Sequence, residues 1–87
     1  ASDLFLALPV PHGPAGLWIE MKAPDGVVSP NQKDFIELMQ WAGYRAIVCW
    51  SADEAITEIT NYLNRYRLSK TPKEIDEDLI FLKRQAD

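Results

Sequence analysis

The sequence predicts an α/β domain in which an antiparallel hairpin leads through a helical crossover to a parallel strand, with further helices packed alongside. Three stretches carry this expectation. Gly16-Leu17-Trp18-Ile19-Glu20-Met21-Lys22 sets charges at alternate positions in an apolar run, the two-residue period of a strand. Ser29-Pro30-Asn31-Gln32 is a helix start. Arg45-Ala46-Ile47-Val48-Cys49-Trp50 is a near-continuous apolar run of the kind buried on both faces of a sheet, and such strands run parallel to their neighbours.

The first element expected is a strand over Asp3-Leu4-Phe5-Leu6-Ala7-Leu8, stopped by Pro9. Pro9-Val10-Pro11-His12-Gly13-Pro14-Ala15 carries three prolines and a glycine and suits a hairpin loop, with His12 as a solvated side chain at its tip. In the second strand Trp18, Glu20 and Lys22 share one face, and Leu17, Ile19 and Met21 share the other. Pairing Ala7 with Gly16 brings Leu6 to Leu17, Phe5 to Trp18, Leu4 to Ile19 and Asp3 to Glu20. Two carboxylates then oppose each other with Cβ atoms roughly 5 Å apart, a destabilising pair unless something positive sits between them. A hard divalent cation suits that place, since Mg2+ is commonly held by one or two carboxylates together with waters and substrate phosphate. The plainer reading is a solvated sheet face on which Glu20 and Lys22 neutralise each other.

Ala23-Pro24-Asp25-Gly26 leaves the second strand through a turn. In the first helix Ser29 is the N-cap, Pro30 suits N1, and Gln32 reaches back to complete a capping box. Phe35, Leu38, Met39 and Ala42 form its core face, and Gly43 ends it. The buried strand Arg45–Trp50 follows, giving a right-handed crossover. Ser51-Ala52-Asp53-Glu54 is a second capping box, opening a helix whose apolar stripe is Ala55, Ile56, Ile59, Tyr62, Leu63 and Tyr66 and which ends near Arg67. Thr71-Pro72-Lys73-Glu74 starts a third helix, which covers the core or meets another subunit. Residues 1–67 are expected to form the core domain and residues 68–87 a C-terminal helical extension.

At 87 residues, 47% apolar and 25% charged, the chain has the composition of one small globular domain, and no apolar run reaches the roughly 20 residues of a membrane helix. No membrane association is expected. The opening Ala1-Ser2-Asp3-Leu4 has no basic segment of the secretory kind and looks cut from something longer. The single cysteine, Cys49, excludes an internal disulfide and a thiolate metal cluster and reads as a buried structural thiol, which places the chain in a reducing cytoplasm. A net charge of −4 gives no overall basic footprint for nucleic acid. Arg65, Arg67, Lys70 and Lys73 are the one local basic run that could meet phosphates, although cations also favour a helix C-terminus.

An ordered set of motifs goes further: Asp3-Leu4, then Gly16-Leu17-Trp18-Ile19-Glu20-Met21-Lys22, then Gly26-Val27-Val28-Ser29-Pro30-Asn31-Gln32, then Gly43-Tyr44. A bare E-x-K tripeptide carries little information, but this series, in this structural context, resembles the VRR-NUC (virus-type replication-repair nuclease) family of the PD-(D/E)xK superfamily over roughly residues 1 to 64. The resemblance implies a restriction-endonuclease-like core. Carried over by position, Asp3 and Glu20 resemble the metal-binding carboxylates, Met21 lends its backbone carbonyl as a ligand, Lys22 resembles the catalytic lysine, and Gln32 matches the glutamine of the family's S-P-x-Q element. It departs from the family at Ser2, where proline is usual, and nothing corresponds to an upstream strand and acid-bearing helix that members carry. These elements are expected from a longer protein or from another chain.

The activity so implied is Mg2+- or Mn2+-dependent phosphodiester hydrolysis, with Lys22 either orienting and deprotonating the water or acting as an electrostatic clamp. Gln32 either hydrogen-bonds Lys22 or a metal-bound water or only caps its helix, and Trp18 either packs or stacks on a splayed base. Stand-alone phage and bacterial members of the family resemble branched-DNA nucleases. The expectation is therefore a dimeric, structure-selective DNA endonuclease of a bacterial or phage-infected cytoplasm, acting on a Holliday junction or flap without an organic cofactor. The competing expectation is a silent nuclease-like module that binds DNA or protein.

Overall fold

A computed structural model describes residues 3–86. Three strands, β1 (Leu4–Leu6), β2 (Leu17–Met21) and β3 (Arg45–Cys49), form one sheet in the order β1-β2-β3. Helix α1 (Pro30–Trp41) connects β2 to β3, and α2 (Ala52–Leu68) and α3 (Pro72–Ala86) follow. Strand β2 is central. It pairs antiparallel with β1 in the expected register, Leu4 with Ile19, Phe5 with Trp18 and Leu6 with Leu17, and parallel with β3 from Leu17–Arg45 to Met21–Cys49.

The alternation along β2 assigns the two faces of the sheet. Leu17 and Ile19 are each 1% exposed and join Cys49, Ala55, Tyr62 and Tyr66 in the main core beneath α2. Each of these two aliphatic side chains contributes about 1.5–3 kcal/mol by leaving water. Trp18 and Glu20 turn to the opposite face, where Trp18 meets Phe35 of α1 edge to face at 5.2 Å between ring centroids. Tyr62 closes the core by donating its hydroxyl hydrogen to the Leu8 carbonyl at 2.5 Å. Helix α3 adds Ile75 and Leu82 to the same layer.

All three helix starts form where the sequence places them, with one change of partner. Ser29 and Gln32 complete a reciprocal box at α1, and Thr71 and Glu74 do the same at α3. At α2 the Ser51 hydroxyl accepts from the Glu54 amide at 3.1 Å, but the Glu54 carboxylate accepts from the Trp50 amide at 2.7 Å instead of that of Ser51. Helix α1 ends in a Schellman motif: Gly43 N–H donates to the Gln40 carbonyl and Tyr44 N–H to that of Met39, with Gly43 at φ +98°.

Four expectations are corrected. The first strand is shorter than Asp3–Leu8, because Leu8 and Val10 leave the ladder around Pro9 and bury themselves in the core. Val10 belongs to that core although its proline-rich surroundings read as loop; its amide accepts a place in a tight turn by donating to the Pro14 carbonyl at 2.8 Å. The buried residue of α1 is Ile36, with Phe35 42% and Leu38 60% exposed, because α1 touches one sheet face and has no second layer outside it among the described residues. Strand β3 lies at the edge of the sheet, so Ile47 and Val48 are half-buried, not enclosed.

Gly43→Ala should lower stability by about 1–2 kcal/mol, the cost of holding an L side chain in the left-handed region. No neighbour lies within 4 Å of a Cβ built there, so chemical denaturation reads this backbone cost without a steric clash.

Candidate active site

Glu20 is the one buried charged residue among those described, at 6% exposure, and stands at the end of the central strand. The first turn of α1 meets it. Gln32 donates from Nε2 to Glu20 Oε1 at 2.6 Å, accepts the Ser29 amide on its own Oε1 at 3.0 Å, and donates its backbone N–H to Ser29 Oγ at 3.2 Å. One amide side chain therefore caps the helix and grips the carboxylate together, because its oxygen and its nitrogen serve different partners. The expected cap is present, and the side chain's second partner is Glu20 and not Lys22.

The Asp3 carboxyl, one residue before the first paired residue of β1, lies near enough to Glu20 to act on its titration. Burial, first, and then this neighbouring acid raise the Glu20 pKa above its ordinary 4.5, and the Lys22 charge acts in the opposite direction; the Trp18 indole N–H faces the same side of the sheet. That N–H is itself buried and has no hydrogen-bond partner among the described residues. The sequence reading gives Trp18 a ring to pack and misses its N–H, although the spacing of two along β2 already puts it on the face of Glu20.

Lys22 follows immediately after β2, and its backbone N–H donates to the Cys49 carbonyl at 2.9 Å, fixing it beside the end of β3. It is half-buried, and its ammonium enters no ion pair among the described residues. Met21 turns its side chain into the α2 layer, so only its main chain lies on the path from Glu20 to Lys22.

The structure separates the basic run from this cluster. Lys22 shares a groove with Ser51 and Ala52 at the start of α2, whereas Arg65 to Lys73 lie around its far end; 17 helical residues span roughly 25 Å. Lys70 is also committed elsewhere. It pairs with Asp78, lies over the Tyr66 ring and has only 11% of its side chain exposed. Tyr66 donates to the same Asp78 carboxylate at 2.7 Å, so this network pins α3 to α2. Arg65 reaches across the hairpin loop to Gly13, and Arg67 and Lys73 remain exposed.

Asp3 and Glu20 would offer an all-oxygen donor set, and two adjacent carboxylates with no shared cation among the described residues suit a hard divalent ion. No group of three or more His, Cys, Asp or Glu side chains gathers among the described residues, so any further donors would be main-chain, water or substrate oxygens. Cys49 plays no part: it is 1% exposed, and burial, reinforced by Glu54 and Glu58, raises its pKa and keeps it an unreactive thiol.

A single oxygen cluster at the end of a mixed sheet, with an unpaired lysine next to it, defines a small nuclease-like α/β domain. The VRR-NUC domain model matches residues 1–53, and the chain belongs to that nuclease family, whose fold is restriction-endonuclease-like. The match holds Asp3, Glu20, Met21, Lys22 and Gln32 and stops short of the basic run. Neither a curated protein nor a solved structure matches the chain.

The raised Glu20 pKa fixes the sign of a pH effect. A group with a folded pKa above its unfolded value contributes its stability below the unfolded value and loses it as pH rises through the folded one. Glu20→Gln cannot ionise, so in chelator its stability should gain on the parent as pH rises from about 4 to 7.5; parallel pH profiles would show that the carboxylate is not strained. Gln32→Glu keeps an oxygen for the Ser29 amide but sets a third carboxylate against Glu20. Its melting temperature should fall more at neutral pH than at pH 4, a difference that helix capping alone would not produce.

Proposed function

We propose that this chain is the catalytic core of a metal-dependent, structure-selective DNA endonuclease that hydrolyses phosphodiester bonds in branched DNA. The observation that carries the reading is the buried Glu20 carboxyl with a second acid, Asp3, acting on it and Lys22 two residues further on at the same end of the sheet. Phosphodiester hydrolysis requires a nucleophilic water near neutral pH and neutralisation of charge on the phosphate and the leaving oxygen. Mg2+ or Mn2+, held by Asp3, Glu20 and the Met21 carbonyl, would supply both.

The chain's own residues account for the rest. Gln32 holds Glu20 in one orientation, so the carboxylate does not collapse onto another donor when it ionises. Trp18 presents a second N–H on the same face. Lys22, free of any carboxylate partner among the described residues, is available to orient a water and to balance the developing charge on a phosphate oxygen. The protein's net charge of −4 opposes DNA at long range, so productive binding depends on the bound cation and on local contacts. The reading places the enzyme in the cytoplasm of a bacterial or phage-infected cell, as a homodimer, with residues 1–67 as the core and 68–87 as an extension. No helix among the described residues is long and apolar enough to cross a membrane.

A labelled flap or four-way junction should be cut with Mg2+ or Mn2+ and left intact in chelator. Glu20→Gln and Lys22→Ala should each lower the rate by at least about 100-fold while circular dichroism shows a folded chain. Either metal should also raise the melting temperature of the parent and have a much smaller effect on Glu20→Gln. Nicking by both variants at the parental rate overturns the assignment; a folded, metal-binding parent that cuts neither substrate marks the chain as a silent binding module.

A further inference from the structure

Helix α3 packs Ile75 and Leu82 on the core and joins Asp78 to Lys70 and Tyr66, which fixes its inner side. At about 100° per residue, Ile80 lies nearly opposite that side, with Leu79 and Phe81 to either side of it. These three are 53%, 52% and 62% exposed, a run of large apolar side chains with no cover among the described residues. Single exposed apolar residues need no explanation, whereas a band of them across the middle of a charged helix does.

The charges around that band are sorted by half. Asp76 and Glu77 stand before it and Lys83 and Arg84 after it, all four exposed and in no ion pair among the described residues. The helix dipole favours acids first and bases last, but it sets no register between them. Asp76 and Lys83 fall on one flank of Ile80, four residues before it and three after; Glu77 and Arg84 fall on the other, three before and four after. A two-fold axis beside Ile80 that runs two copies of α3 antiparallel brings each flank to the same flank of the other copy. Asp76 then meets the partner's Lys83, Glu77 meets the partner's Arg84, and the symmetry repeats both pairs. Ile80 meets its own copy at the axis. A covering segment of other origin has no reason to match the charges of α3 in the register of α3 itself; a second copy does so by symmetry.

We propose that the outer face of α3 is a self-association surface, on which two copies of this chain pair their α3 helices antiparallel about Ile80. The proposal rests on the homodimer reading above and names its interface. That interface lies beyond residues 1–53, so it does not belong to the matched nuclease domain. A helix of 15 residues is roughly 22 Å long, so the pair buries less than the roughly 1,600 Å² of a standard interface and the dimer is weak.

Sedimentation equilibrium of the 87-residue chain, without DNA or metal, should show a monomer–dimer equilibrium with a Kd of about 1–100 μM. Ile80→Asn removes the apolar centre, and Asp76→Lys with Glu77→Lys makes both halves of the face basic; each should raise the Kd at least about 10-fold. Lys83→Glu with Arg84→Glu makes both halves acidic and should do the same. Mixing the two double variants should restore association as a heterodimer at least as tight as the parent, since every facing pair is then of opposite sign. The mixture separates loss of an interface from loss of the helix, which mixing would not repair. A parent dimer unaffected by Ile80→Asn and by both double variants, or double variants that stay apart when mixed, overturns the α3 surface and leaves the homodimer reading standing. A parent that is monomeric at about 1 mM removes both. None of these readouts involves cleavage, so the nuclease reading is tested apart from them.

Discussion

The hydrogen bond from Gln32 to Glu20 is the constraint on which the candidate site depends. A carboxylate at 6% exposure on a central strand is costly without a partner, and the partner comes from the first turn of the crossover helix. Because the same side chain also accepts the Ser29 amide, the start of α1 and the end of β2 are fixed by one group. Displacing the helix would orphan the carboxylate, and losing the carboxylate would leave half of the amide unpaired. Local capping and tertiary placement reinforce each other here, which gives a site its rigidity without a long loop.

That arrangement also stores unfavourable electrostatics. Glu20 faces burial and a second acid together, and the Lys22 charge offsets this only in part, since the pKa remains raised. A domain optimised for stability alone would have an apolar residue at that strand end. The strain has a direction, since a divalent cation relieves it and a monovalent side chain at Lys22 does so incompletely. The paired network at the other end of α2 is the contrast: Lys70, Tyr66 and Asp78 satisfy one another and hold the Asp78 pKa down. Clustered charge marks a structural staple in one place and a candidate reaction centre in the other, and the difference lies in whether the charges are balanced.

The exposed apolar surface follows from the same thin architecture. A three-stranded sheet with α2 and α3 on one face and α1 alone on the other leaves Leu38 and Trp41 without cover among the described residues, at 60% and 86% exposure. Burial in this chain is concentrated between β2 and α2, where Leu17, Ile19, Cys49, Tyr62 and Tyr66 lie.

The sequence by itself determined the element order, the hairpin register, the parallel crossover and the three helix starts, because each follows from local rules: a period of two, a proline at N1, a hydroxyl three residues before a glutamine or glutamate. The pairs from Leu4–Ile19 to Leu6–Leu17 follow because pairing register is arithmetic once the turn is placed. The sequence misjudged which side chains are enclosed. Phe35, Leu38 and Ile56 are apolar at helical spacing but stand exposed, and Val10 is buried from within a proline-rich loop, because burial depends on how many layers lie on each side of an element. Only the tertiary structure could decide that Gln32 serves two partners and that the basic run stands at the far end of α2 from the carboxylates. Both are distances between segments remote in sequence, and the packing of helices on the sheet sets them.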